Sequence, residues 1–108
     1  MVIEISDQDF EQEVLKSNLP VVVDFWATWC LPCLAMEPLL QEVKEKFKGR
    51  IKVYGIDVDM NPKVVSKQGL KSLPTILFFK NGEVVDHMVG VGGKENLLQH
   101  VSKILKGV

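Results

Sequence analysis

The run Val21-Val22-Val23-Asp24-Phe25-Trp26 constrains this chain more than any other feature. It is apolar and β-branched, and such a run forms a strand buried on both faces. After Ala27-Thr28-Trp29-Cys30 the period changes. Met36, Leu39, Leu40, Val43 and Phe47 repeat at helical spacing, and Gly49 suits a C-cap. Pro38 lies inside this helix and removes one backbone hydrogen bond, which predicts a kink. Ile51 to Val58 reads as a further strand. Residues 21–58 therefore form a strand–helix–strand unit, whose right-handed crossover would lay two strands in parallel.

The flanking segments complete the pattern. Val2-Ile3-Glu4-Ile5 is a short strand, and Ser6 offers an N-cap to a helix with Asp7, Asp9 and Glu11 at its positive end. Phe10, Val14 and Leu15 give that helix its apolar stripe, and it ends near Ser17-Asn18. Asn61-Pro62 supplies an N-cap followed by proline at the first helical position, opening a short helix that Gly69 closes. Thr75 to Lys80 and Val84 to Val89 are strands about Lys80-Asn81-Gly82-Glu83, and Asn-Gly is a strong hairpin signal because both residues accept positive φ. Leu97, Leu98, Val101, Ile104 and Leu105 mark a last amphipathic helix, with Lys103 and Lys106 near its negative end.

The order is βαβαβαββα, an α/β fold with a mixed central sheet of five strands covered by helices on both faces. The 108 residues hold no repeat, linker or low-complexity tract, so a single domain over residues 1–108 is expected. A net charge of −1 argues against a nucleic-acid or anionic-membrane binder. No apolar run approaches the roughly 20 residues that span a bilayer. Met1-Val2-Ile3-Glu4 lacks the marks of a secretory signal, so a cytoplasmic protein is expected.

The chain has two cysteines, Cys30 and Cys33. Two cysteines placed at random would fall three apart in roughly one case in fifty, so the spacing asks for an explanation. A structural staple explains it poorly. Closing a loop of about four residues contributes only about 2 kcal/mol, against about 3 for fifteen, and cytosolic reduction would open it. A reactive pair explains it better. Where a buried strand gives way to a helix, unpaired N–H groups and the helix dipole favour thiolate at Cys30. Cys30 should be the more exposed, while Cys33, one turn in, stays protonated. One sulfur would attack a partner's disulfide and the other resolve the mixed disulfide. Pro32 suits the first turn and stiffens the spacing.

A metal site competes weakly. A closed zinc site wants four ligands, and the two thiols find only His87 and His100, thirteen apart and outside finger-type spacing. Both histidines read more simply as surface residues. No metal or other cofactor is expected beyond the redox pair. An iron–sulfur site shared between two chains stays open.

Val23-Asp24-Phe25-Trp26-Ala27-x-Trp29-Cys30-x-Pro32-Cys33, Asp59-x-Asn61-Pro62, Leu73-Pro74-Thr75 and Phe79-Lys80-Asn81-Gly82-Glu83 together resemble the thioredoxin family over essentially the whole chain. The resemblance implies a thioredoxin fold with four helices and a general protein-disulfide reductase that carries electrons and serves cell redox homeostasis. Its partners would be disulfide-containing client proteins and a thioredoxin reductase, either a flavoprotein or a ferredoxin-linked enzyme. Cys30 would be the attacking nucleophile and Cys33 the resolving thiol. Asp24, a carboxylate inside an apolar strand, would exchange a proton with Cys33 because burial raises its pKa. Base rates favour a trans Leu73–Pro74 bond, whereas the resemblance implies a cis proline beside the cysteines, the backbone of Leu73 pairing with substrate. Trp29, Leu31, Pro32, Leu73, Gly90 and Val91 would form an apolar patch around the exposed sulfur. Trp26 reads equally well as core.

The chain departs from the family's pattern at three places. Leu31 replaces the usual glycine, Leu34 a common lysine, and Gly55 the lysine that usually neighbours the buried aspartate. Without that cation Asp24 should ionise at higher pH than in members that keep it. Two rival readings stay open: a thiol oxidase of the same fold, and a binding module or subunit whose apolar patch does the work. Nothing demands more than a monomer.

Overall fold

The computed structural model describes residues 2–106. Five strands and four helices alternate as expected: β1 (Ile3–Glu4), α1 (Asp7–Phe10), β2 (Val21–Trp26), α2 (Leu31–Lys46), β3 (Lys52–Asp57), α3 (Pro62–Gln68), β4 (Thr75–Lys80), β5 (Glu83–Val89) and α4 (Lys94–Leu105). They build one sheet in the order β1-β3-β2-β4-β5. β2 runs parallel to β3, as the crossover unit predicted, and antiparallel to β4. β1 joins β3 in parallel, and β5 pairs antiparallel with β4. The hairpin turn has Asn81 at φ 54° and Gly82 at φ 81°, the pair of positive values that the Asn-Gly dipeptide accepts.

The apolar run of β2 is buried because both faces of the sheet are covered. On one face Val22, Val53, Ile76 and Phe78 pack against Met36 and Leu40 of α2 and Leu97 and Val101 of α4. On the other, Val21, Val23, Phe25 and Phe79 meet Phe10, Val14 and Val64. Asp24 alternates onto the α2 face, two residues from Trp26 and beside Gly55 across the β2–β3 ladder. Pro38 sits inside α2, which continues on both sides of it. Among the described residues, no helix is long and apolar enough to cross a membrane.

Three local expectations are corrected. The first helix is α-helical only to Phe10; Glu11–Leu15 widens into a π turn, with Lys16 N–H reaching Glu11 O at 2.9 Å. Asn61 precedes α3, but its side chain does not cap it. Its Oδ1 accepts from Asp7 N–H at 2.8 Å and its amide donates to Asp57 O at 2.9 Å. The carboxylate of Asp7, from the distant α1, accepts instead from the N–H groups of Lys63 (3.2 Å) and Val64 (2.9 Å). His100 is not a plain surface residue. It is half-buried, its Nδ1 lies 2.5 Å from Asp86 Oδ2, and its ring stacks on Phe78.

The cap supplied in trans by Asp7 makes a stability prediction. Asp7→Ala leaves two N–H groups of α3 unmatched and should lower unfolding free energy by about 1–2 kcal/mol in urea titration. An unchanged midpoint would mean that α3 needs no outside carboxylate.

Candidate active site

The site forms where β2 ends and α2 begins. Cys30 is the N-cap of a helix of 16 residues, in extended conformation with φ −94° and ψ 96°. Its Sγ accepts a hydrogen bond from the backbone N–H of Cys33 at 3.2 Å. A sulfur in the position of a capping oxygen meets the unmatched N–H groups and positive dipole end of the helix, which stabilise negative charge there. Leu31 and Pro32 occupy the first two helical positions, where proline forfeits no hydrogen bond.

Cys30 and Cys33 are joined by a disulfide, with Cα atoms 5.3 Å apart. Their exposures are 4% and 2%. The order is the expected one, but in this oxidised state the difference is small. Both pack in a small cluster with Ala27, against Trp26, Val58 and Leu73. The Leu73–Pro74 bond is cis, as the family resemblance implied and base rates did not. Gly90 N–H donates to Pro74 O at 2.9 Å, which ties the end of the hairpin to this proline. Around the buried sulfurs Trp29 is 66% exposed and Leu31 76%, and Leu34 and Val91 are also exposed. The indole N–H of Trp29 donates to Asp59 Oδ2 at 2.8 Å, so a carboxylate after β3 steadies an exposed ring. Trp29 and Leu73 also share a shallow cavity of about 230 Å3.

Behind the disulfide lies a second cavity of about 300 Å3, bounded by Glu4, Asp24, Trp26, Cys33 and Glu37, with Val2 and Leu34. Asp24 is only 2% exposed and its Oδ1 has no hydrogen-bond partner. Burial pushes its pKa up to about 7, and the charges of Glu37 and then Glu4 push the same way. Gly55 neighbours Asp24 as counted from the sequence, but the space above it is filled. A Cβ there would lie 2.1 Å from Glu4 Oε2. Trp26 is more than core: its indole N–H donates to both carboxylate oxygens of Glu4, at 2.9 and 3.0 Å. Glu4, Glu37 and Asp59 are site residues that sequence reading missed. Asp59 lay within a quoted motif, whereas nothing local marks Glu4 or Glu37, whose roles arise from strand pairing and helix packing.

His87 is exposed and His100 is engaged with Asp86, so neither joins the cysteines. Among the described residues, no group of three or more His, Cys, Asp or Glu is placed to hold a metal ion.

Comparison with known proteins decides the family. The thioredoxin family model matches residues 1–103. The chain belongs to the thioredoxin family. It is 43% identical over 102 residues to a thioredoxin of Rickettsia bellii, covering 94% of this chain and 97% of the relative. It is 44% identical over 102 residues to thioredoxin 1 of a Nostoc species, with coverage of 94% and 95%. A thioredoxin of Pyropia yezoensis is 41% identical over 104 residues, with coverage of 96% and 97%. Thioredoxins are protein-disulfide oxidoreductases, and this chain is a dithiol–disulfide oxidoreductase whose redox pair is Cys30-Leu31-Pro32-Cys33.

The carboxylate of Asp24 links stability to pH. In the unfolded chain it ionises near 4, in the fold near 7. Between those values the folded state keeps a proton that the unfolded state has lost, so stability falls as pH rises from about 4 to about 7. Asp24→Asn should therefore stabilise the oxidised protein by a few kcal/mol at pH 8, with the gain fading toward pH 4. A gain independent of pH in urea unfolding would contradict this account.

Proposed function

We propose that the chain acts as a general disulfide reductase and electron carrier, with Cys30 as nucleophile, Cys33 as resolving thiol and Asp24 as the proton-exchanging group. The observation that carries the reading is the hydrogen bond from Cys33 N–H to Cys30 Sγ, which favours charge on one sulfur of the pair.

The cycle follows from that asymmetry. The Cys30 thiolate attacks a client disulfide, forming a mixed disulfide and releasing one client thiolate. The thiol of Cys33 then gives its proton to the Asp24 carboxylate across the cavity they share. Its sulfur bonds to Cys30, the bond from Cys30 to the client breaks, and the second client sulfur leaves and is protonated from water. Two electrons pass to the client, and the chain is left as the disulfide. A reductase dithiol reverses the cycle: Cys33 leaves as thiolate and recovers a proton from Asp24. A group ionising near 7 serves as acid and base alike at neutral pH.

The exposed Trp29, Leu31, Pro32 and Val91, with Leu73 and the Pro74–Gly90 contact, make the face on which clients and a thioredoxin reductase dock. The face is apolar and carries no lysine after the second cysteine, so the surface recognised is itself apolar. Whether the reductase is a flavoprotein or a ferredoxin-linked enzyme, the same sulfur receives its electrons. A dithiol donor works where the surrounding thiols are kept reduced, so we place it in the cytoplasm, in cell redox homeostasis. All the groups named lie on one chain, so a monomer and a single domain over residues 1–108 suffice, with no cofactor beyond the redox disulfide.

Insulin reduction driven by dithiothreitol tests the reading. Cys30→Ser should abolish catalysis, and Cys33→Ser should leave Cys30 trapped in mixed disulfides visible by mass spectrometry. Catalysis that survives loss of both thiols would transfer the function to the apolar face as a binding surface.

A further inference from the structure

The face of the sheet beneath α2 has an electrostatic arrangement of its own. Glu4 lies over Gly55, the residue that pairs with Asp24 on the next strand, and its two oxygens are held by the Trp26 indole. Glu37 approaches from α2, with Oε1 accepting from Val2 N–H at 3.3 Å. Both acids border the cavity that exposes Asp24 to Cys33, and among the described residues its lining includes no cation. Asp57 on β3 adds a further negative charge that acts on Glu4.

We propose that Glu4 and Glu37 are positioning residues for proton exchange with the resolving sulfur: two acids bordering the cavity that joins the buried Asp24 to Cys33, they set the pH range over which that carboxyl trades a proton with the thiol. The proposal rests on the oxidoreductase cycle above and adds the device that sets its pH range. A negative charge beside a buried carboxyl disfavours the second charge strongly because little water screens it. The unpartnered Asp24 Oδ1 has no hydrogen bond to relieve that cost. Burial of Glu4 raises its own pKa as well, with Glu37 and Asp57 adding to this and the indole N–H opposing it, so the acids share one field.

The test uses Glu4→Gln, Glu37→Gln and the double variant, which keep shape and let the Trp26 and Val2 N–H groups find an oxygen. Asp24 is titrated by carboxyl-carbon NMR in the oxidised protein. The pH–rate profile of single-turnover reduction of a fluorescent peptide disulfide is followed alongside it. The double variant should lower both midpoints by about half a pH unit or more, each single variant by less. The profile shift should vanish in an Asp24→Asn background, which a merely structural role would not produce. The two single variants, each with a smaller shift of the same sign, serve if the double variant does not fold. An Asp24 midpoint or a rate profile indifferent to both acids overturns the assignment and leaves the oxidoreductase cycle standing. A wild-type chain that reduces no disulfide overturns both.

Discussion

A single hydrogen bond, from the backbone N–H of Cys33 to the sulfur of Cys30, ties the redox pair to the head of a helix. Helices are usually capped by oxygen; here a sulfur takes that place at the head of α2 and gains what favours an anion there. Cys33 lies one turn inside the helix, and both sulfurs are buried in one small apolar cluster. The fold fixes this arrangement because β2 is buried on both faces and delivers the chain into α2 at a defined point. The apolar β2 run and the reactive pair are parts of one device.

Behind the disulfide, the cavity is bordered by acids. Glu4 covers Gly55, at the place where many members of the family keep a lysine, and Glu37 stands on the helix side. Burial and these two acids act together on Asp24, whereas a lysine would have opposed burial. At the head of α2, Leu31 and Leu34 take places often filled by glycine and lysine, and both are exposed.

Most of the fold was legible in the sequence because its signals are local. The β-branched run, the helical spacing of Met36, Leu40 and Val43, and Asn81-Gly82 each fix their own element. The cysteine motif likewise carries its position at a strand-to-helix junction. What stayed hidden depends on pairing between distant segments. Asn61 reads as a cap by type, but its amide is drawn to Asp7 and Asp57, and the Asp7 carboxylate comes back across 57 positions to cap α3. His100 reads as surface until β5 brings Asp86 beside it. Glu4 sits in a two-residue edge strand and gains its place over Gly55 only through the register of β1 on β3. The small difference in exposure between the cysteines was also out of reach, because the disulfide draws both sulfurs into the Ala27 and Leu73 cluster.

Ionisation of the reduced pair is the most direct test of the account. Iodoacetamide alkylation of the dithiol form, followed by peptide mass spectrometry across pH 4 to 10, reports each thiolate separately. The account predicts that Cys30 is labelled first, with a midpoint at least about one pH unit below the 8.5 of a free thiol, while Cys33 stays protected. Equal labelling, or labelling of Cys33 first, would contradict it.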